Sequence, residues 1–164
     1  MKIVIVDADD NPIGVQEYES LSYDDIYQVS ALWLTDNNTG DILIAQRNWS
    51  KHNDPGKWSA SVSGTIDEGE TYDINIVKEI EEEIGLVNLI LAKGPKEFID
   101  DGQHKFFVQW FLAKVGKNNT IITIQEEEVE ATKWIPKAEL VKDVEHNPDK
   151  YTPQFINSLK TLGY

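Results

Sequence analysis

The chain has 164 residues, 29 of them Asp or Glu against 15 Lys or Arg, for a formal net charge of −14, and no cysteine. That length suits a single domain over residues 1–164, and 40% hydrophobic residues with five Trp rule out a disordered chain despite the charge. The acid excess argues against nucleic acid or an anionic membrane as the main partner, and the missing cysteines exclude disulfides, thiolate metal sites and a cysteine nucleophile.

The opening Met1–Asp7 has too short an apolar run for a signal peptide, and no segment approaches a membrane span, so a cytoplasmic protein is expected. In chain order, Lys2–Val6 reads as a strand, Asp7–Gly14 as a turn rich in Asp, Asn, Pro and Gly, and Val15–Glu19 as a strand pairing back on the first. Tyr27–Leu34 and Asp41–Arg47 are β-rich runs on either side of Asp36-Asn37-Asn38-Thr39-Gly40, a hairpin signal. Asn48–Lys57 is a polar loop, Trp58–Ser63 a strand and Gly64–Gly69 a second loop. Thr71–Ile84 is expected to be helical, with Thr71 as N-cap, Asp73 in the first turn and Gly85 as the stop. Leu86–Leu91, Lys96–Ile99, Lys105–Val115, Thr120–Gln125 and Ala131–Ile135 follow as strands, the third of them buried on both sides. Helices near Lys137–Val144 and Thr152–Leu162 close the chain. Mostly antiparallel strands around one central helix make the fold class α+β, a mixed α/β sandwich.

The acid is concentrated: eight of the 29 acidic residues lie between Asp67 and Glu83, and Glu126, Glu127, Glu128 and Glu130 form a second cluster. On a helical wheel Ile76, Val77, Ile80 and Ile84 share one stripe that must face the sheet. Glu79, Glu82 and Glu83 stand at i, i+3 and i+4 on a second stripe, and Glu81 falls off it into solvent. Carboxylates this close repel one another unless they are protonated or bridged by cations. Three oxygen ligands beside a buried stripe suit a hard cation such as Mg²⁺ or Mn²⁺, while a solvated acidic face accounts equally well for the spacing.

The loop before the helix adds to this. From Gly64 the chain runs Gly64-Thr65-Ile66-Asp67-Glu68-Gly69-Glu70, then seven residues, then Lys78-Glu79-Ile80-Glu81-Glu82-Glu83-Ile84-Gly85-Leu86. This resembles the Nudix box: Gly, five residues, Glu, seven residues, then Arg-Glu-aliphatic-any-Glu-Glu-any-Gly-aliphatic. Every specified position matches, from Gly64 and Glu70 through Gly85, except that Lys78 stands where the pattern has Arg. The resemblance implies the Nudix fold, a mixed β-sheet between helices. It implies Mg²⁺ (or Mn²⁺) held by Glu79, Glu82 and Glu83, and attack of water on phosphorus in a small-molecule diphosphate, typically a nucleoside diphosphate linked to another group. Such a substrate carries several negative charges, and an acidic site can receive it only through metal ions. A carboxylate not committed to metal can take the proton. Glu82 or Glu83 would do, or a glutamate on a later loop as in many family members, for which Glu128 is preferred here. Lys78 keeps the charge of the Arg but loses its planar fork, which implies retuned rather than lost activity. Arg47, with Lys57 behind it, is expected to contact phosphate.

Val6–Gly14, Ile42–Arg47 and Asp54–Trp58 are similar to a branch of bacterial Nudix proteins related to isopentenyl diphosphate isomerase. Isomerases of that kind use an essential cysteine, so hydrolysis of a phosphoanhydride is the expected reaction. The alternative from another class is a Nudix-fold binding or regulatory module without turnover. Other sites weaken on inspection: Asp7-Ala8-Asp9-Asp10-Asn11 starts like a calcium loop but has Pro12 and Tyr18 where Gly and Glu belong, and His52, His104 and His146 lack ligand spacing. The groups flanking the diphosphate are expected to be read by Asn48–Lys57 and Pro95–Gln103, and a homodimer is consistent with the family.

Overall fold

A computed structural model describes residues 1–164. Lys2–Val6 (β1) and Pro12–Glu17 (β2) form the antiparallel hairpin expected at the start. Its turn is closed by Asp7, whose Oδ1 accepts from the amides of Asp9 and Asn11 at 2.9 Å each. β2 begins earlier than the expected Val15, and Pro12 is tolerated because β2 is the edge of the sheet and its N–H side has no partner to lose.

Ile26–Asp36 (β3) and Ile42–Arg47 (β4) flank the predicted turn. Asp36 holds that turn: its carboxylate accepts from the amides of Lys117 (2.8 Å) and Thr39 (2.8 Å) and from the Thr39 hydroxyl (2.7 Å). The Lys117 amide, foremost among these donors, pulls its pKa down to about 2. Beyond the turn the two strands separate and share only the Thr35–Ile42 register. β3 turns to Lys105–Val115 (β8), parallel over eleven residue pairs, and to Val62–Thr65 (β6). β4 turns instead to Val129–Ile135 (β9) and to Trp58–Ser59 (β5).

The expected single strand Trp58–Ser63 is therefore two strands, because the chain crosses at Ala60-Ser61 from the partner of β4 to the partner of β3. Ser61 bridges the gap, fully buried, donating to the Leu43 carbonyl at 2.6 Å and accepting from the Leu34 amide at 3.1 Å. Ser61→Ala would strip partners from two buried backbone groups and is expected to lower stability by about 2–3 kcal/mol. A urea unfolding curve checks this, and an unchanged midpoint would refute the bridging role.

Tyr72–Ile84 (α1) is capped as expected, with the Thr71 hydroxyl accepting from the Ile74 amide and Gly85 in the left-handed region at φ 70°. Ile76, Ile80 and Ile84 bury against Leu32, Leu34 and Phe111. Val77 does not join them and stands 55% exposed, while Asn75 is fully buried. The inward arc is thus rotated toward the carboxylates: Asn75, Glu79 and Glu83 belong to its flank, and Glu81 is solvated as expected. On the opposite face of the sheet, Lys137–His146 (α2) and Pro153–Thr161 (α3) pack Leu140, Val144, Phe155 and Leu159 against Ile3, Trp33, Ile44 and Trp110. The sheet therefore lies between helices, a mixed α+β architecture, and α1 covers one face rather than occupying the centre.

Two expected strands are absent. Leu86–Leu91 is irregular: Leu86, Leu89 and Leu91 lean on the α1 cluster while Val87 and Ile90 stay exposed, and the strand β7 begins only at Ala92, running to Asp100. Thr120–Gln125 is extended but caps α1 instead of joining the sheet, its Thr123 and Gln125 amides donating to the carbonyls of Ile84 (3.0 Å) and Glu83 (3.1 Å). Helix-end carbonyls without partners draw donors in this way. No helix is long and apolar enough to cross a membrane.

Candidate active site

The acidic helix and the loop before it meet at Gly64. This residue lies on β6 opposite Ser30, and a Cβ added to it would come within 2.4 Å of Cγ and Cδ of Glu79. Only glycine lets the strand approach that carboxylate so closely. Glu70 turns back from the loop onto α1, where its Oε1 accepts from Lys78 Nζ at 2.8 Å and its Oε2 from Asn75 Nδ2 at 2.8 Å. Burial raises the Glu70 pKa, but Lys78 and Asn75 outweigh it and the net shift is downward. Lys78 also meets Asp67 Oδ2 at 3.0 Å and lies 3.8 Å from Glu79 Oε1. Burial disfavours its charge, yet the contacts with Glu70 and Asp67 prevail and raise its pKa. The lysine therefore stays cationic and ties loop to helix. Asp67 Oδ1, beside it, is buried and has no hydrogen-bond partner.

Glu79, Glu82, Glu83 and Glu128 line one cleft of about 610 Å³, together with Arg47 and Lys51. Burial, eased by Lys78 and aggravated by Glu82, pushes the Glu79 pKa up to about 7. Burial and then the nearby Glu79 push Glu83 up to about 8, against a backbone hydrogen bond from Ser63. In both carboxylates burial is the largest cause, and Lys78 at Glu79 and Arg47 at Glu83 offset it only in part. The Gln125 amide, in bonding Glu83 O, brings the second acidic cluster over the end of α1. Of that cluster Glu128 faces the cleft and pairs with Lys51, while Asn48 holds its loop by donating to the carbonyls of Glu128 (3.0 Å, backbone) and Glu126 (2.7 Å, side chain).

The donor set is all oxygen, as a hard divalent cation requires. In the arrangement described, no three His, Cys, Asp or Glu side chains converge as ligands of one ion. Glu79 is turned toward Asn75 and Lys78, and Glu128 toward Lys51. The all-oxygen donor set gathered at one cleft, with the buried and unpartnered Asp67 oxygen next to Lys78, nevertheless fits a hard cation in its chemistry.

Arg47 faces the cleft with its Nε donating to the Asn53 carbonyl at 2.9 Å, which shapes the loop it was expected to overlook. Lys57 lies elsewhere: it pairs with Asp54 at 2.9 Å and does not line the cleft, and its place beside Arg47 is taken by Lys51. Which lysine of a polar loop turns inward depends on how the loop closes, and no local signal in the sequence carries that. Asn75 had a signal, a polar residue next to Ile76 at the edge of the apolar stripe.

The far part of the cleft is apolar, floored by Tyr27 and Val29 of β3, Phe106, Val108 and Trp110 of β8, and Phe155 of α3. Several polar side chains there have partners in the protein. Ser158 donates to Glu97, Gln154 donates to Asp101 at 2.8 Å, and Thr152 accepts from the Phe155 amide at 3.3 Å.

The sequence model of the NUDIX domain matches residues 26–155. An uncharacterized Nudix hydrolase of Pseudomonas aeruginosa is 24% identical over 96% of this chain and 90% of its own length. An isopentenyl-diphosphate Delta-isomerase of Serratia proteamaculans is 25% identical over 98% of this chain and 90% of its own. A crystal structure from Deinococcus radiodurans superposes over the whole of both chains with a TM-score of 0.85 at 15% identity, a likeness of fold.

Proposed function

The chain belongs to the Nudix hydrolase family, and from that premise we propose that it cleaves a phosphoanhydride of a small diphosphate in a reaction dependent on Mg²⁺ or Mn²⁺. The observation that carries the reading is the gathering of Glu79, Glu82, Glu83 and Glu128 in one cleft beside Arg47 and Lys51. Glu79, Glu82 and Glu83 would hold the cation, with Gly64, Glu70, Lys78 and Gly85 shaping the loop and helix that present them. A bound divalent cation supplies charge neutralisation and polarises phosphate oxygens. Arg47 and Lys51 supply the cationic wall that meets the phosphates, at the edge of the carboxylate cluster. Glu128, held at the cleft by its pairing with Lys51 and not assigned to the cation, would take a proton from the attacking water, with Glu82 and Glu83 as the other acceptors.

The group beyond the diphosphate is apolar in this reading. The far wall offers hydrophobic and aromatic faces, and Ser158 and the amide NH₂ of Gln154 are committed within the protein, which favours an apolar group there over the edge of a nucleobase. That the isomerase relative is named for isopentenyl diphosphate points the same way. Phosphate release from a panel of nucleoside and prenyl diphosphates, with Mg²⁺, Mn²⁺ or chelator, tests the proposal. Turnover that persists in chelator, or no turnover of any member, would sink it. Within this reading Lys51→Ala is expected to raise KM about 5-fold, the equivalent of one lost partly exposed ion pair, and Lys57→Ala to leave KM unchanged. Steady-state kinetics on both variants would reverse the assignment if Lys57 proved the sensitive one.

A further inference from the structure

We propose that Asn75 is a positioning residue that shares with Lys78 the hold on the site's carboxylates, dividing between two side chains a grip that one arginine could supply alone. The inference rests on the reading of Glu79 as a cation ligand.

Asn75 and Ser30 are both fully buried, and the Ser30 hydroxyl donates to Asn75 Oδ1 at 2.5 Å. The other end of the amide, Nδ2, faces three oxygens: the Thr65 carbonyl at 3.0 Å, Glu70 Oε2 at 2.8 Å and Glu79 Oε1 at 3.4 Å. Carbonyl and carboxylate oxygens can only accept, so these neighbours fix which end of the amide is NH₂, and Ser30 locks it. A polar group on the sheet-facing flank of a helix is costly unless all its bonds are made. Here they are made, and apart from the Ser30 anchor each runs to the loop or to a site carboxylate.

The division of labour is visible at Glu70. An ammonium is a compact point charge and meets one carboxylate oxygen, whereas a guanidinium fork meets both. Lys78 takes Oε1 and Asn75 takes Oε2, each at 2.8 Å, so both oxygens are held after all. The same pair reaches toward Glu79 Oε1, Asn75 at 3.4 Å and Lys78 at 3.8 Å. Ser30 lies opposite Gly64 on the neighbouring strand, so the anchor of the amide and the glycine against Glu79 are set by one strand register.

The test compares wild type, Asn75→Ala and Asn75→Ala/Lys78→Arg, reading the Mg²⁺ concentration that gives half of the maximal thermal stabilisation, together with kcat and KM on the best diphosphate of the panel. Asn75→Ala is expected to raise the Mg²⁺ midpoint about 10-fold and to lower kcat about 10-fold with KM little changed, the usual size for a residue that orients a ligand. The arginine in the double variant, reaching both oxygens of Glu70, is expected to recover most of both losses. If Asn75→Ala does not fold, Ser30→Ala with and without Lys78→Arg makes the same comparison, since it only unlocks the amide. A wild-type Mg²⁺ midpoint in the variant, or a loss that arginine does not recover, overturns the proposal. Wild-type protein that binds neither Mg²⁺ nor Mn²⁺ overturns the cation reading first and this one with it, a failure distinguishable before any variant is made.

Discussion

Glu83→Gln is expected to lower kcat/KM on a diphosphate substrate by about 10³-fold and, in chelator above pH 7, to make the protein harder to unfold. The first effect follows from removing a carboxylate read as both cation ligand and proton acceptor, in a class of contribution that spans about 10²–10⁴-fold. The second follows from burial. Glu83 has a pKa raised from 4.5 to about 8, so between those values the folded protein binds a proton that the unfolded chain has released. Its contribution to stability therefore falls as pH rises through that window and is least favourable above pH 8, where the buried carboxylate is ionised. Glutamine has nearly the same shape and no charge to bury. A gain of about 1–3 kcal/mol at pH 8.5, vanishing near pH 5, is the expected size for relief of one desolvated charge that the Ser63 amide and Arg47 only partly compensate. Urea unfolding at the two pH values, with kinetics on the same samples, checks both halves. Activity within tenfold of wild type would remove Glu83 from the site. A variant less stable than wild type at pH 8.5 would show that the Ser63 and Arg47 interactions of the carboxylate outweigh its burial.

Opposite signs for activity and stability separate this residue from ones that merely maintain the fold. Ser61 is such a residue: its loss costs two buried backbone hydrogen bonds at every pH and touches no cleft side chain.

What could be read in advance follows the range of the signals. The limits of β1, β8 and α1 were legible because short-range chemistry sets them: the Asp and Asn turn after Val6, the Thr71 cap, and the left-handed Gly85. Glu79, Glu82 and Glu83 share one helix, so their spacing alone places all three along one cleft. The errors arose where a residue's fate depends on a distant partner. Thr120–Gln125 has strand-forming side chains, yet its amides are drawn to the carbonyls ending α1. Val77, expected on the buried stripe, is exposed and Asn75 is buried in its stead, held by its bonds to Thr65 and Glu70 and by the bond it accepts from Ser30. The parallel pairing of β3 with β8 joins segments about eighty residues apart and leaves no local trace in either.

Gly64→Ala is expected to cut kcat/KM about 100-fold while moving the unfolding temperature by no more than about 4 °C. The added Cβ would lie 2.4 Å from Cδ and Cγ of Glu79 and 2.6 Å from its Oε1. All of these are side-chain atoms, so the clash is relieved by swinging the carboxylate away rather than by moving a strand. Gly64 does not have the positive φ that would strain alanine, so the backbone accepts the substitution. A displacement of about 1 Å at a reacting or ligating group is enough to cost about two decades of rate. Gly85→Ala provides the contrast. Its φ of 70° disfavours any side chain, and its Cβ would press on the Thr123 side chain at 2.9 Å and backbone oxygen at 3.2 Å, so stability must fall with whatever else is lost. Thermal unfolding and steady-state kinetics on the two alanine variants separate the cases. Full activity in Gly64→Ala would mean that the position of Glu79 does not matter to the reaction. Stability lost in proportion to activity would make Gly64 a residue of the fold and not of the site.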